Sequence, residues 1–448
     1  MAQTTMAGRQ RVALAALAAL AALGGPKAAQ AIPIYARQTG QACAACHTSF
    51  PELTPYGRQF KLNGYTFGGG QSKLPPLAMM MVGSFTNTQQ NQQGGAAPHF
   101  GENNNFAYDF ASVFYGGVLL PHLGMFGQLT YNNIDKSASW DNTDIRYAQA
   151  FKIGGYETVF GASLNNNPTV SDVWNSTPAW GYPWLVSGLA PGPAAHTLIE
   201  GGLAQQVVGF EPYVYWNRLL YIEAGGYRSL DGRMLDALGA NPNPANPING
   251  VAPYWRVALE PTWGPNSLEI GTFGLHAASV PGGIVGFGTD HVTDVGVDAQ
   301  FEYLAGVNGV TAQADLITES DAFDASEALG LASHKNDHLR SFHAKASYYY
   351  DQTYAATLGY FDIHGSGDAA LYGANSLSNS PNSNGFIGEL DWIPFNHGGP
   401  AFWPWLNVKF GLQYTYYLRL NGGTNNYDGA GNNATGANTL YLFAWLAF

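Results

Sequence analysis

The chain has 448 residues, with 19 basic and 31 acidic side chains for a net charge of −12, 11% charged residues, 14% aromatics and 56 glycines. That acidity excludes nucleic acid as a partner, and only two cysteines exclude a disulfide scaffold. So few charges beside so many aromatics and glycines suit a β-rich protein exposed to lipid better than a soluble globular one.

Residues 1–31 read as a secretory signal peptide. Arg9 and Arg11 precede the apolar run "VALAALAALAALGG", and Ala29-Gln30-Ala31 supplies the small-x-small pattern of a cleavage site. The run covers 12–25, short of the roughly 20 apolar residues a membrane helix needs. Cleavage would leave Ile32 first and, by removing Arg9, Arg11 and Lys27 but no acidic residue, take the net charge from −12 to −15.

Residues 32–76 form a distinct segment holding both cysteines, in "CAACH" at 43–47. Three readings compete. A thioredoxin-like dithiol needs a surrounding βαβ domain, which this short segment cannot provide; a zinc site needs two more ligands, and neither a second CxxC nor a close His pair is present. The third is covalent c-type haem attachment, in which Cys43 and Cys46, one turn apart, reach the two vinyl groups and His47 faces the iron as proximal ligand. A segment near the lower size limit for independent folding also needs a cofactor or similar staple. Phe50, Leu53, Tyr56 and Phe60 recur at helical spacing and are expected on one face, with Phe50, Tyr56 and Phe60 against the haem, although Pro51 and Pro55 confine helix to short pieces.

From residue 77 to 448 the chain reads as alternating segments long enough to cross a bilayer as tilted strands, separated by Gly, Asn, Asp and Pro. They fall near 78–90, 105–119, 124–134, 143–153, 157–166, 206–216, 219–229, 253–262, 266–278, 290–304, 309–319, 339–350, 353–364, 384–393, 405–419 and 438–448. The expectation is an all-β transmembrane barrel of about 16 antiparallel strands, with 14 or 18 as neighbouring counts, plugged by the small N-terminal haem-binding α/coil segment. The inserts 165–199, 231–250, 320–338 and 365–383 read as extracellular loops. The final "TLYLFAWLAF" puts Leu440, Leu442, Leu446 and Phe448 on one face without a charge, which resembles the terminal strand of bacterial outer-membrane proteins; a sandwich edge strand would be blunted.

Met, His or nothing can complete the iron's coordination. In "LAMMMVGSFTNTQ", even-numbered Ser84, Thr86 and Thr88 mark the lumenal face, so Met80 points inward and Met79 toward lipid. Met80 is the first choice and Met79 the second, with His99 and His122 as more distant alternatives; the competing reading is that the methionines only fill apolar surface.

The run "ARQTGQACAACHTSFPELTPYGRQFKLNGY" followed by a porin-like barrel, together with "DNTDIRYAQAF" at 141–151 and "SLNNNPTVSDVWNSTPAWGYPW" at 163–184, resembles the fused outer-membrane monohaem cytochrome c–porin family, whose best-known members are iron oxidases. The resemblance runs from residue 32 to Phe448. It implies one covalently attached haem c on Cys43, Cys46 and His47, outer-membrane lipid around the barrel, an extracellular electron donor such as Fe(II), a periplasmic acceptor cytochrome, and one-electron oxidoreductase activity. A diffusion porin whose haem segment is a sensor or gate is the rival, and a soluble periplasmic β-sandwich cytochrome a third reading. No GxSxG, HExxH or Walker-type loop points to other catalysis. His334, His338 and His343 lie near Glu319, Asp321, Asp324, Glu327 and Asp337, as a metal-collecting loop or as solvated surface. Asp141, Asp144 and Arg146 are expected in the lumen, where such a pair more often braces strands.

Overall fold

The computed structural model describes residues 33–68, 76–174 and 181–448, so the expected signal peptide and residues 69–75 lie outside the described residues. Sixteen staves form one closed antiparallel ring: β1 (Leu77–Thr88), β2 (Asn105–Leu120), β3 (Leu123–Asn132), β4 (Ser137–Ile153), β5 (Tyr156–Asn165), β6 (Val207–Trp216), β7 (Leu220–Ser229), β8 (Ala252–Leu259, continued at Thr262–Trp263), β9 (Asn266–Ser279), β10 (Asp290–Ala305), β11 (Asn308–Ala322), β12 (Asn336–Tyr350), β13 (Tyr354–Gly365), β14 (Ser383–Trp392), β15 (Asn407–Arg419) and β16 (Thr439–Ala447). The stave count meets the expectation. β1 closes the ring against β16 from Met80 opposite Ala447 to Thr88 opposite Thr439, and Met79 and Phe448 exchange backbone hydrogen bonds of 2.7 and 2.9 Å below the seam.

The staves carry inverted polarity. Along β10, Asp290, Asp294, Asp298, Gln300 and Glu302 are buried, while Val295, Val297 and Tyr303 between them are exposed. A sheet with polar residues inside and apolar residues outside is stable only with lipid around it, and closure leaves no unpaired edge in that lipid. Tyr156, Trp263, Tyr303, Tyr350, Tyr354 and Trp392 are exposed beside the turns at one end, as in an interfacial aromatic girdle. Among the described residues no helix is long and apolar enough to cross a membrane.

Both chain ends of the barrel lie with the short turns 121–122, 154–155, 217–219, 264–265, 306–307 and 351–353 and with the longer connection 393–406, while the longest connections lie at the opposite end. One of these departs from expectation. The 165–199 insert, read as an extracellular loop, turns into the lumen: Val173 and Trp174 are fully buried against Tyr213, Tyr215 and Tyr221 of β6 and β7, and Leu185 joins a cluster with Tyr441, Phe443 and Trp445 of β16. Its apolar residues have no period, so the sequence offers no face to read. The inner aromatics of β16 also explain why its sequence is apolar on both sides: Leu442 faces out and Trp445 meets the N-terminal segment, edge-on to Phe50 at 5.1 Å.

That segment fills part of the lumen at the short-turn end with three short helices, α1 (Pro33–Thr39), α2 (Cys43–Cys46) and α3 (Pro55–Leu62). Pro55 starts α3, and Thr54 caps it by accepting from Gly57 N at 3.2 Å. Gly57 is required there, since a Cβ would sit 2.3 Å from the Cys46 carbonyl oxygen. The expected single face of Phe50, Leu53, Tyr56 and Phe60 does not form, because the two prolines hold Phe50 and Leu53 outside the helix; Phe60 is buried and Tyr56 is exposed.

Candidate functional site

Cys43 and Cys46, reduced thiols buried on α2, line one cavity of about 720 Å³ with His47, Phe50, Phe60 and Met80. That volume is in the range of cofactor pockets, about 300–1,000 Å³. Tyr56, expected against the same group, does not line it. The cavity extends from Met79 and Met80 at the foot of β1 to Trp184, Glu200 and Gly201 on the inward loop. Burial pushes the Cys43 thiol up to about 12 and the Cys46 thiol up to about 11. Thiols so disposed to keep their protons are poor redox nucleophiles.

The histidine is oriented by its own loop. Residues 47–53 double back, with His47 bridged to Leu53 and Thr54 N donating to Cys46 O at 2.9 Å. His47 Nδ1 lies 3.2 Å from Pro51 O and 3.1 Å from Glu52 O. Carbonyls only accept, so Nδ1 carries the proton and Nε2 keeps its lone pair for a metal. Burial lowers the His47 pKa against the upward pull of those carbonyls, so the ring is neutral at pH 7. Gln352, in the turn between β12 and β13, donates to Ala44 O and His47 O at 2.9 Å each and ties the loop to the barrel.

Two ion-pair anchors that sequence reasoning missed hold the loop. Glu52, 8% exposed, pairs with Lys345 of β12, accepts from Tyr349 Oη at 2.5 Å and from Trp184 Nε1 at 3.1 Å. Burial alone would raise the Glu52 carboxyl, yet Lys345, with the other two donors, holds it below its ordinary range. A second anchor is Arg58, which meets Glu260 at 2.7 Å and Glu302 at 2.6 Å. These partners lie hundreds of residues away in sequence, and a lone Glu in "FPELTP" gives no sign of them.

Met80 shares the inward face with Val82, Ser84, Thr86 and Thr88, while Met79 is 40% exposed on the other side at the cavity rim. His99 sits in the long connection after β1 and His122 in the turn after β2, and neither lines the cavity. Asp144 and Arg146 are fully buried and paired at 3.0 Å, with Tyr65 Oη donating to Asp144 at 2.6 Å. They brace the N-terminal segment, and Asp141 lies on the cavity wall. The three neighbouring histidines do not converge. His334 faces Asp337 and Asp368 near the long connections, His338 bonds Ser366, and His343 alone turns inward to Asp315. Alternation along β12 sends His338 and His343 to different faces, His334 precedes that strand, and Asp324 and Glu327 lie apart on a short helix after β11.

No family model matches the chain, and no curated protein matches it. Among solved structures, it is similar to OmpT, an outer membrane protein of Vibrio cholerae, at 11% identity over 83% of this chain and 96% of that one, TM-score 0.42. It is similar to Salmonella typhi OmpF in complex with daunomycin at 12% identity over 83% and 97%, TM-score 0.45. The outer membrane channel DcaP of Acinetobacter baumannii shares 11% identity over 85% and 99%, TM-score 0.44.

Proposed function

We propose that this protein is an outer-membrane electron-transfer cytochrome, in which one c-type haem sits in the lumen of a porin-like barrel and links an extracellular donor, with Fe(II) as the leading choice, to a periplasmic acceptor. The observation that carries the reading is the convergence of Cys43, Cys46 and His47 with Met80, from a separate element, on one cavity. When bound, haem supplies reversible one-electron chemistry at its iron. Cys43 and Cys46 would hold it covalently, the Nδ1 bonds of His47 fix the imidazole, and Phe50, Phe60 and Trp445 would exclude water from it. Long connections at the far end place that end outside the cell, as in bacterial barrels, so the N-terminal segment faces the periplasm.

A diffusion porin gated by the same segment is the second reading, favoured by the closed 16-stave ring. Against it, the lumenal charges Arg146, Arg256 and Lys409 are 0–1% exposed beneath the segment and the inward loop. Purified haem-loaded protein in liposomes separates the two. Fe(II) outside should reduce the haem bands within the mixing time while neutral sugars leak no faster than from empty vesicles; sugar flux without haem reduction would replace this reading with the porin.

The ligand opposite His47 gives an independent check. Met80→Ala is expected to abolish the low-spin methionine-type near-infrared band and to shift the Soret maximum, whereas Met79→Ala leaves both in place. An unchanged spectrum in Met80→Ala would remove Met80 from the iron.

A further inference from the structure

We infer that a divalent-cation site formed by His343, Asp315 and Glu200 adjoins this cavity, with Glu200 on its wall. His343 Nδ1 lies 2.9 Å from Asp315 Oδ1 and 3.4 Å from Glu200 Oε1, and the three ligand atoms all fall within 4.8 Å of one another. Atoms held about 2.0–2.2 Å from one ion in neighbouring coordination positions are themselves about 3 Å apart. One imidazole and two carboxylates suit a first-row divalent ion with room for water or a further ligand.

Each ligand is positioned from behind. Asp315 and His343 are directly opposed across β11 and β12. Glu200 belongs to the inward loop, where Thr197 N and Oγ1 donate to its Oε2 at 3.1 and 2.7 Å and Ser341 Oγ donates to its Oε1 at 3.1 Å. That turn is docked by carboxylates: Leu198 N donates to Glu319 at 2.5 Å and Ile199 N to Asp294 Oδ2 at 2.8 Å.

The surroundings call for a cation. Asp294 stands opposite Glu319, and Asp321 opposite Asp337, on adjacent staves. Like charges directly opposed across a sheet repel. Asp294 Oδ1 and Asp321 Oδ1 have no hydrogen-bond partner, in side chains belonging to residues 1% and 9% exposed. Within these pairs and the Asp315–His343 pair, His343 is the only basic group. Four and six register positions from Asp315 along β11, these carboxylates line the approach to the site and do not ligate the ion. Exposed His334, with the buried carboxylates of Asp337 and Asp368 beside it, lies outward of the same staves, so a carboxylate-lined approach leads in from the long connections.

Glu200 lines the cavity that holds Cys43 and His47. The cation site stands on its own residues; its use as the place where a metal-ion donor gives up an electron rests on the haem reading above. Zn(II), redox-inert, is the probe. Equilibrium dialysis of the full chain in detergent should retain one Zn(II) per barrel, weakened at least tenfold by His343→Ala and by Asp315→Asn, and unchanged by His334→Ala. Each variant is first checked for the heat-modifiable gel mobility of a folded barrel, and Glu200→Gln replaces any that fails. Retention of the ion by the folded Cys43→Ser/Cys46→Ser chain would uphold the site even if haem attachment fails. Absence of a retained ion in wild type, or wild-type retention in folded His343→Ala, overturns it.

Discussion

Cys43→Ser/Cys46→Ser is expected to yield a folded, membrane-inserted barrel with no covalently bound haem: peroxidase staining on a denaturing gel falls from one band at the barrel's mass to none. The prediction separates attachment from folding. The ring closes through β1 and β16 by backbone pairing from Met80 to Thr88, and no cysteine takes part in that seam. The N-terminal segment keeps its polar anchors, Arg58 on Glu260 and Glu302 and Glu52 on Lys345. What changes is the cavity, about 720 Å³, which loses its tether. His47→Ala keeps both thiols and is expected to retain staining at reduced yield while losing the low-spin spectrum. Haem staining that persists in the double serine variant would refute thioether attachment.

Where the period of the chain matched the period of the structure, the fold was legible. Alternation brought out all 16 staves, and on β1 the same parity placed Met80 inward and Met79 outward. β4 begins earlier than the alternation showed, at Ser137 instead of 143, because Ser137–Trp140 pair with Leu129–Asn132 across a bulge, where the two-residue rhythm breaks. The inward course of the loop after β5 was hidden for a related reason. Trp174, Trp184, Leu185 and Ile199 occupy irregular backbone among Pro and Gly, and a loop entering a lumen carries no period to distinguish it from one facing water.

The site divides along the same line. That Cys43, Cys46 and His47 come together was legible because they are adjacent in sequence, on one helical turn and its exit. Glu52 and Arg58 were not, since their partners Lys345 and Glu260 meet them only when the segment docks in the barrel, and His343 meets Asp315 only through the register of β11 and β12. His343 read as one of three neighbouring histidines; the strand's two-residue alternation separates it from His338, and only register shows that Asp315 faces it.

Glu52→Gln is expected to destabilise the docking of the N-terminal segment by about 3–5 kcal/mol, the usual cost of leaving one member of a buried ion pair unpaired. Lys345 has no water to turn to: its side chain is 0% exposed, and its ammonium stands 5.2 Å from the Tyr182 ring and 5.5 Å from that of Trp184. Those rings favour a cation but do not replace a carboxylate. Glu52→Gln/Lys345→Met removes both charges together and should recover all but about 1 kcal/mol, because a buried pair replaced by apolar packing is often neutral. Guanidinium titrations followed by tryptophan fluorescence, with Trp184 as a reporter at the junction, measure the cycle. The haem spectrum should follow docking, since Glu52 supplies one of the carbonyls that fix His47 Nδ1. A loss under 1 kcal/mol in the single variant, or a double variant as unstable as the single, would show that this pair does not hold the histidine loop in the barrel.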